Sequence, residues 1–264
     1  MKSFKLAVVQ STFEPEQVEQ NLEKMEHLTE SCARKFPNIP IILFPELSAT
    51  GYFLSPSLRK VAQKKDGFSF QKLSALAEKH KIYLVYGYVE QGESGNIYNS
   101  VQLIDPNGKS LANYRKIHLT PLERDYFQAG DKAVVVDTSL GRIGLMICWD
   151  LAFPELARML AVEGADLLLA PTAWEDPYNK PFLNFGMARA IDNTVYLASS
   201  NHIGSSGSLE FFGQSSIYGP DGEVLARAEA YKDEIITADI LIDNRQKLKD
   251  EFFSMLEERR LDIY

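Results

Sequence analysis

The sequence predicts an α/β protein built as a four-layer α-β-β-α sandwich. Apolar runs typical of strands alternate with amphipathic helical segments along the chain, which is the pattern of a layered α/β fold. The order of these segments repeats, so that each half reads as β-α-β-α-β-β. If the halves are copies, two sheets pack face to face and helices cover their outer sides. No segment of the 264 residues has the composition of a linker, so we expect one domain over 1–264.

The repeat is visible in short segments of matching pattern. Four pairs correspond: 6–10 with 145–148, 42–46 with 168–172, 83–85 with 196–198, and 101–108 with 215–222. Strands of unrelated α/β proteins often contain similar apolar residues. The alternative interpretation is therefore that the matching segments are similar by chance. True duplication would bring the residues after strands 41–44 and 143–148 to one edge of the sandwich.

The first half of the chain is predicted to contain five strands and two helices. Val18, Leu22, Met25, Leu28 and Cys32 recur at helical spacing, so we interpret Cys32 as a packing residue. The turn at 105–108 indicates a hairpin, and 115–119 is predicted to continue its second strand. The strands are predicted at 6–9, 41–44, 82–88, 98–104 and 110–114, and the helices at 17–35 and 70–80.

The second half follows the same rules. Pro154 lies near the start of a predicted helix, where proline is favoured. His202 to Gly213 is rich in glycine and serine and is predicted to be a loop near the rim of a site. The strands are predicted at 134–137, 143–148, 167–170, 195–199, 215–218, 223–226 and 235–240, and the helices at 153–163, 182–192 and 244–257.

Composition limits the partners. A formal net charge of −8 argues against nucleic acid or an anionic membrane as the main partner. Cys32 and Cys148 are the two cysteines, too few for a disulfide framework, which fits a reducing compartment. The first ten residues lack the pattern of a signal peptide, and no apolar run is long enough to span a bilayer. We therefore expect a cytoplasmic protein.

Cys148 is the first candidate for chemistry. It lies where an apolar strand pattern gives way to a helix pattern, and ligands of α/β proteins bind at that end of the sheet. A thiol close to helix amides can become a reactive thiolate. A free cysteine is more often a small core residue, so spacing alone leaves both interpretations open.

A cysteine nucleophile needs a base and a group that stabilises an oxyanion. The four histidines show no metal-binding spacing, and no glycine-rich phosphate loop is present, so we expect neither a metal nor a cofactor. Glu46 follows an apolar strand directly, which is an unusual place for a charge, and Lys116 lies in a strand-like run. A single Glu or Lys is usually a solvated surface residue, so neither is decisive alone.

Three blocks together resemble the signature of the nitrilase superfamily, the carbon-nitrogen hydrolases with a Glu-Lys-Cys triad. They are 44–46 with 50–52, 114–119, and 147–150 with 153–155. The resemblance extends to 127–131, 187–190 and 212–216, and so spans nearly the whole chain. It implies the same four-layer sandwich and makes 1–264 a single carbon-nitrogen hydrolase domain.

The resemblance also implies roles for individual residues. Cys148 would be the nucleophile, Glu46 the general base and acid, and Lys116, with the backbone N–H of Trp149, the oxyanion site. Glu123 fits the position of a second glutamate that orients the lysine. The intermediate would be a thioester, and family members commonly form homodimers or larger homo-oligomers. The apolar segments 252–256 and 261–264 are predicted to lie at such an interface.

The substrate is less well determined, because the family hydrolyses amides, nitriles and N-carbamoyl compounds. Members that act on carboxylate-bearing substrates often carry an Arg shortly after the nucleophile, and none is present here. The acids in 174–178 suggest a neutral or cationic small amide, and several motifs resemble bacterial amidases of short ω-amino amides such as 5-aminopentanamide. The alternatives are an N-carbamoyl-amine amidohydrolase, a nitrilase, or a catalytically silent binding protein. The expected substrate-binding residues are Tyr52, Trp149, Thr172, Ala173, Trp174 and Glu175.

Overall fold

The computed structural model describes residues 3–263. In this range two six-stranded sheets, a separate two-stranded hairpin and six α-helices are present. The strands are Ser3–Gln10 (β1), Ile41–Leu43 (β2), Tyr83–Gln91 (β3), Ile97–Ile104 (β4), Ser110–Arg115 (β5), Val135–Thr138 (β6), Gly141–Leu145 (β7), Leu167–Thr172 (β8), Tyr196–Asn201 (β9), Ile203–Ser206 (β10), Leu209–Phe212 (β11), Ser216–Tyr218 (β12), Val224–Arg227 (β13) and Glu234–Leu241 (β14). The helices are Val18–Lys35 (α1), Leu58–Val61 (α2), Phe68–His80 (α3), Pro154–Val162 (α4), Asn179–Ile191 (α5) and Asn244–Glu251 (α6).

The two large sheets have the same topology. Their orders are β14-β1-β2-β3-β4-β5 and β6-β7-β8-β9-β12-β13. In each sheet the second, third and fourth strands are parallel, and the remaining pairs are antiparallel. Every segment pair predicted from the repeat occupies or adjoins corresponding strands. The predicted internal duplication is therefore present in the fold.

The layers follow from the alternation of side chains along the strands. Leu6 and Val8 of β1 belong to the large core that also includes side chains of the second sheet and of α4 and α5. Ala7 and Val9 point the other way and pack with the apolar faces of α1 and α3. Cys32 is fully buried in this second core, as its helical spacing predicted. The sequence therefore folds into the predicted α-β-β-α sandwich.

Three local predictions were wrong. The segment 203–212 is a β-hairpin rather than a loop, because Gly207 at φ +59° makes the turn between β10 and β11. Strand β5 ends at Arg115, so Lys116 lies after the strand, and α6 ends at Glu251 rather than at 257. Tyr264, predicted to lie at an interface, falls outside the described residues. No helix within 3–263 combines the length and the apolar character needed to cross a membrane.

Candidate active site

Cys148 lies in a sharp turn that follows β7 and opens a short 3₁₀ segment, Cys148–Ala152. Its φ is +47°, in the left-handed region that costs a residue with a side chain about 1 kcal/mol or more. The backbone N–H of Asp150 donates to the Ile147 carbonyl at 3.0 Å, and the Ile147 N–H donates to the Asp150 carboxylate at 2.9 Å. These bonds hold the thiol at the wall of a cavity.

Asp150 also joins this turn to the segment around Lys116. The hydroxyl of Tyr114 donates to one of its carboxylate oxygens at 2.7 Å. The backbone N–H of His118 donates to the other at 3.0 Å, and the His118 ring Nδ1 lies 2.8 Å from that same atom. Asp150 is fully buried. The carboxylate therefore fixes the position of the cysteine turn relative to the residues on both sides of Lys116.

Lys116 lies between two glutamates in the interior. Its Nζ is 2.8 Å from Oε1 of Glu46 and 2.7 Å from Oε1 of Glu123, and all three side chains are 0% exposed. The structure thus brings together three of the four residues to which the sequence assigned catalytic roles. Because one ammonium lies between two carboxylates, the three groups carry one excess negative charge when all of them are ionised.

The two glutamates differ in the oxygen that does not face Lys116. Oε2 of Glu123 accepts the backbone N–H of Thr120 at 2.9 Å. Oε2 of Glu46 is buried and has no hydrogen-bond partner among residues 3–263. Of these four carboxylate oxygens, it alone in the described structure is free to accept a proton. The two glutamates therefore differ in hydrogen bonding, since both carboxylate oxygens of Glu123 are occupied and one of those of Glu46 is not.

Two glycines allow close backbone contacts beside Glu46 and Lys116. A Cβ at Gly87 would lie 2.2 Å from the backbone nitrogen of Leu47, directly after Glu46. A Cβ at Gly130 would lie 2.2 Å from the carbonyl oxygen of Arg115, and the Gly130 N–H donates to the Lys116 carbonyl at 2.8 Å. Any larger residue at either position would force the backbone next to Glu46 or Lys116 to shift.

The electrostatics of the cluster decide where its protons reside. Burial, reinforced by the charge of Glu46, raises the pKa of the Cys148 thiol well above its usual value, against the opposing effect of Lys116. Burial also raises the pKa of Glu46, although Lys116 acts in the opposite direction. Burial alone would lower the pKa of Lys116, but the charges of Glu123 and Glu46 outweigh it and the net shift is upward. Cys148 therefore keeps its proton at neutral pH until a neighbouring group accepts it.

A cavity of about 490 Å³ lies in front of Cys148. This volume is in the range that small-molecule sites occupy. Most of the lining side chains are apolar or aromatic, and Glu175 is the charged residue among them. The lining consists of Tyr52, Thr120, Pro121, Leu122, Cys148, Trp149, Ala173, Trp174, Glu175, Tyr178, Pro181, Phe185 and Leu209. The arrangement can present a small, largely apolar molecule to the thiol.

Comparison with known proteins identifies the family. A family model described as carbon-nitrogen hydrolase matches residues 5–250. The chain belongs to the carbon-nitrogen hydrolase family. It is 38% identical over 250 residues to a probable nitrilase of Schizosaccharomyces pombe, which covers 94% of this chain and 92% of that protein. It is 30% identical over 281 residues to the ω-amidase of Homo sapiens, which covers 100% of this chain and 98% of that protein.

Solved structures agree with this assignment. A carbon-nitrogen hydrolase from Helicobacter pylori superposes with a TM-score of 0.93 at 27% identity, covering 99% of this chain and 97% of that one. An amidase from Nesterenkonia sp. superposes with a TM-score of 0.85 at 28% identity, covering 100% of this chain and 96% of that one. The structure of a glutamate-to-glutamine mutant of that amidase shows the result of Michael addition of acrylamide at the active-site cysteine. This carbon-nitrogen hydrolase is accordingly an enzyme of the amidase type, as the sequence predicted.

The cavity of this carbon-nitrogen hydrolase includes five of the six residues predicted to bind substrate: Tyr52, Trp149, Ala173, Trp174 and Glu175. Thr172 is not among the lining residues. Its hydroxyl is 3.0 Å from the Ser200 carbonyl and 3.1 Å from the Asn201 side chain, so it stabilises β8 against β9. Asp176 does not line the cavity either, and its carboxylate accepts a hydrogen bond from Tyr231.

His202 has a structural position that its sequence context did not reveal. Its ring Nε2 donates to the backbone carbonyl of Glu46 at 2.5 Å. Burial lowers the pKa of His202 to about 4, so the ring is neutral at pH 7. It therefore supports the loop that carries Glu46. Within 3–263, no group of three or more His, Cys, Asp or Glu side chains is arranged to hold a metal ion.

Proposed function

We propose that this enzyme hydrolyses a small amide through a thioester on Cys148. The observation that carries the proposal is the unpaired Oε2 of Glu46, buried in the same cluster as Lys116 and close enough for its charge to act on Cys148. In this scheme Glu46 is the base and Glu123 orients Lys116. The acrylamide adduct on the cysteine of the Nesterenkonia amidase supports the choice of nucleophile.

The first half of the reaction forms the acyl-enzyme. Glu46 accepts the thiol proton of Cys148, and the sulfur attacks the amide carbon. The carbonyl electron pair moves to oxygen, where Lys116 and the backbone N–H of Trp149 stabilise the charge. Glu46 then gives its proton to the amide nitrogen, the C–N bond breaks, and ammonia leaves.

The second half restores the enzyme. Glu46, again a carboxylate, takes a proton from a water molecule that attacks the thioester carbon. The second tetrahedral intermediate expels the sulfur, which regains a proton from Glu46. The overall balance is one amide and one water converted to one carboxylic acid and one ammonia. Each step uses Glu46 in the protonation state that the preceding step leaves.

The substrate we propose is a short aliphatic or ω-amino amide. The cavity lining includes no Lys, Arg or His among the described residues, which disfavours a carboxylate on the substrate. Glu175 can instead face an ammonium or a neutral polar end. The human relative is named an ω-amidase and the Nesterenkonia structure an amidase, which supports an amide rather than another carbonyl compound.

A substrate with a terminal amine is expected to be preferred over one with a terminal carboxylate. Attraction between a carboxylate and an ammonium about 4 Å apart is on the order of 4 kcal/mol at an effective dielectric constant of about 20, before desolvation offsets most of it. We therefore expect 5-aminopentanamide to exceed a glutaramate-type amide by about tenfold in kcat/KM, or about 1.4 kcal/mol. Glu175→Gln should reduce that preference while leaving turnover of butyramide unchanged.

Asp176→Asn is the matched control, because this neighbouring carboxylate bonds Tyr231 and does not line the cavity. Burial raises the pKa of Glu175, so the preference should also weaken as the pH falls and this side chain takes up a proton. Equal loss of preference in both variants, or faster hydrolysis of the glutaramate-type amide by the wild type, would refute the role of Glu175.

The reaction class is tested by measuring ammonia release from a panel of amides, N-carbamoyl amines and nitriles. Carbon dioxide release would mark an N-carbamoyl substrate. The nitrile is the second candidate, because the S. pombe relative is named a probable nitrilase. We expect the amides to be hydrolysed fastest, and a wild-type enzyme that releases no ammonia from any amide would exclude the proposal.

We also propose that the protein is a cytoplasmic homodimer or a larger homo-oligomer, with the apolar C-terminal segment at the interface. Phe252 is 77% exposed, Leu261 69% and Ile263 70%. Large apolar side chains exposed to this degree indicate a contact surface. Light scattering should give a dimer or larger, and Phe252→Asp combined with Ile263→Asp should shift it toward monomer. Leu111→Asp, at an exposed apolar residue of β5, is the control, and a monomeric wild type would contradict the prediction.

A further inference from the structure

Asn99 is a buried amide in the centre of the charged cluster. It lies on β4, paired with Val89 of β3, and is 1% exposed. Its backbone carbonyl accepts the N–H of Lys116 at 2.8 Å. This backbone hydrogen bond fixes the position of Lys116 directly after β5, and it does not involve the Asn99 side chain.

The Asn99 side chain contacts the same two oxygens as Lys116. Its Nδ2 is 2.6 Å from Oε1 of Glu46 and 3.1 Å from Oε1 of Glu123. Its Oδ1 is buried and has no partner in the described part of the chain. The reverse orientation of the amide would place Oδ1 against two carboxylate oxygens with no proton between them, so the nitrogen must face the glutamates.

These contacts give the cluster a second donor that carries no charge. Two carboxylates share one ammonium, and a neutral amide donates to both of them as well. Oε1 of Glu46 accepts from both donors, and Oε2 is left unpaired. A donor to a carboxylate stabilises the charged form relative to the protonated form. The Asn99 amide therefore favours a Glu46 that is ionised and has one free oxygen.

We propose that Asn99 is a positioning residue that keeps Glu46 ionised and its Oε2 free to take the proton of Cys148. The inference rests on the proposed function, in which Glu46 is the base. Glu46 is influenced by charged and titratable groups on several segments: Lys116 after β5, Glu123 in the following loop, Cys148 after β7, and Tyr52 at the cavity. Neutral His202 contacts its backbone.

The sign of the pH effect follows from the hydrogen bond. Asn99 lowers the pKa of Glu46 relative to what burial alone would impose. Without Asn99 the pKa of Glu46 rises, and a higher pH is needed to ionise the base. The acidic limb of kcat/KM against pH reports the ionisation of the base in the free enzyme, so this limb should move to higher pH.

The experiment compares the pH profiles of the wild type, Asn99→Ala and Asn113→Ala for hydrolysis of butyramide. Asn113 is the matched control because its amide also donates to a buried carboxylate, Glu90, at 2.8 Å, outside the cluster. Loss of one hydrogen bond to a charged group predicts a fall of about 10- to 100-fold at neutral pH for Asn99→Ala. The acidic limb should move to higher pH in this variant and stay unchanged in Asn113→Ala.

A parallel fall of kcat/KM at every pH, with the limb unmoved, would overturn the inference and leave Asn99 a structural residue. Asn99→Ser, which keeps a polar group too short to bridge both glutamates, replaces Asn99→Ala if circular dichroism shows that the latter does not fold. A wild type with no amidase activity would instead overturn the proposed function. The two failures are therefore distinguishable.

Discussion

Replacing Cys148 with alanine is expected to abolish ammonia release, by at least about 10⁴-fold, because no other group can form the thioester. The side chain is small and lies at a buried turn, so alanine should fit with little loss of stability. The measurement is ammonia release under saturating butyramide, with the thermal unfolding midpoint recorded for both proteins. Activity near that of the wild type would end the interpretation of Cys148 as the nucleophile.

Iodoacetamide provides an internal control for the same residue. Cys148 lines the cavity, where the reagent can reach it, whereas Cys32 is fully buried within α1. The reagent should therefore alkylate Cys148 first, and inactivation should follow that modification. If inactivation instead follows modification of Cys32, activity is lost through damage to the fold, and the experiment gives no support to Cys148 as the nucleophile.

Glu46→Gln is expected to lower kcat by about 10²-fold or more, since the variant keeps the shape but loses the proton acceptor. The new amide should turn its oxygen toward Lys116, which places the NH₂ group where Oε2 now lies. That position then donates and cannot accept the thiol proton. The rates are measured by single-turnover kinetics, which separate chemistry from binding.

Glu90→Gln is a suitable comparison, because Glu90 is also buried and paired, with Arg115, but lies outside the cluster. If it lowers kcat as much as Glu46→Gln, the loss reflects general damage to buried carboxylates. A kcat for Glu46→Gln within a few-fold of the wild type would mean that the base has been misassigned. Lys116→Ala is less informative, because it leaves two buried carboxylates without their ammonium and should destabilise the fold.

The fold could be predicted because the local sequence pattern and the internal repeat indicated the same architecture. Short apolar runs predicted the strands, and the repeat predicted that they form two equivalent sheets. The hairpin at 203–212 was missed because glycine and serine dominate the turn between Ile203 and Phe212 and obscure the alternation of its strands. Lys116 was placed in a strand because β5 ends one residue before it, and sequence pattern does not locate strand ends to that accuracy.

The site was predictable only in part. Cys148 could be singled out from its position, but its association with Glu46, Lys116 and Glu123 came from the resemblance to a known family. No role was predicted for Asn99 or Asp150, although Asp150 belongs to the block 147–150, because their contacts are with residues distant in the chain. Asn99 contacts Glu46 across 53 residues, and Asp150 contacts Tyr114 across 36. The available signal was a polar residue inside an apolar strand or turn, which does not by itself identify its partner.

The central claim, a thioester on Cys148 that Glu46 helps to hydrolyse, is tested most directly by mass spectrometry. The wild type is mixed with the p-nitrophenyl ester of a short acid, whose leaving group needs no proton from Glu46, and the reaction is quenched with acid during the first turnover. Because the activated ester speeds formation of the thioester but not its hydrolysis, which still needs Glu46, the acyl group should accumulate on the peptide that contains Cys148, and Cys148→Ala should carry none. Steady release of p-nitrophenol with no added mass on that peptide, or an acyl group on another residue, would contradict the account.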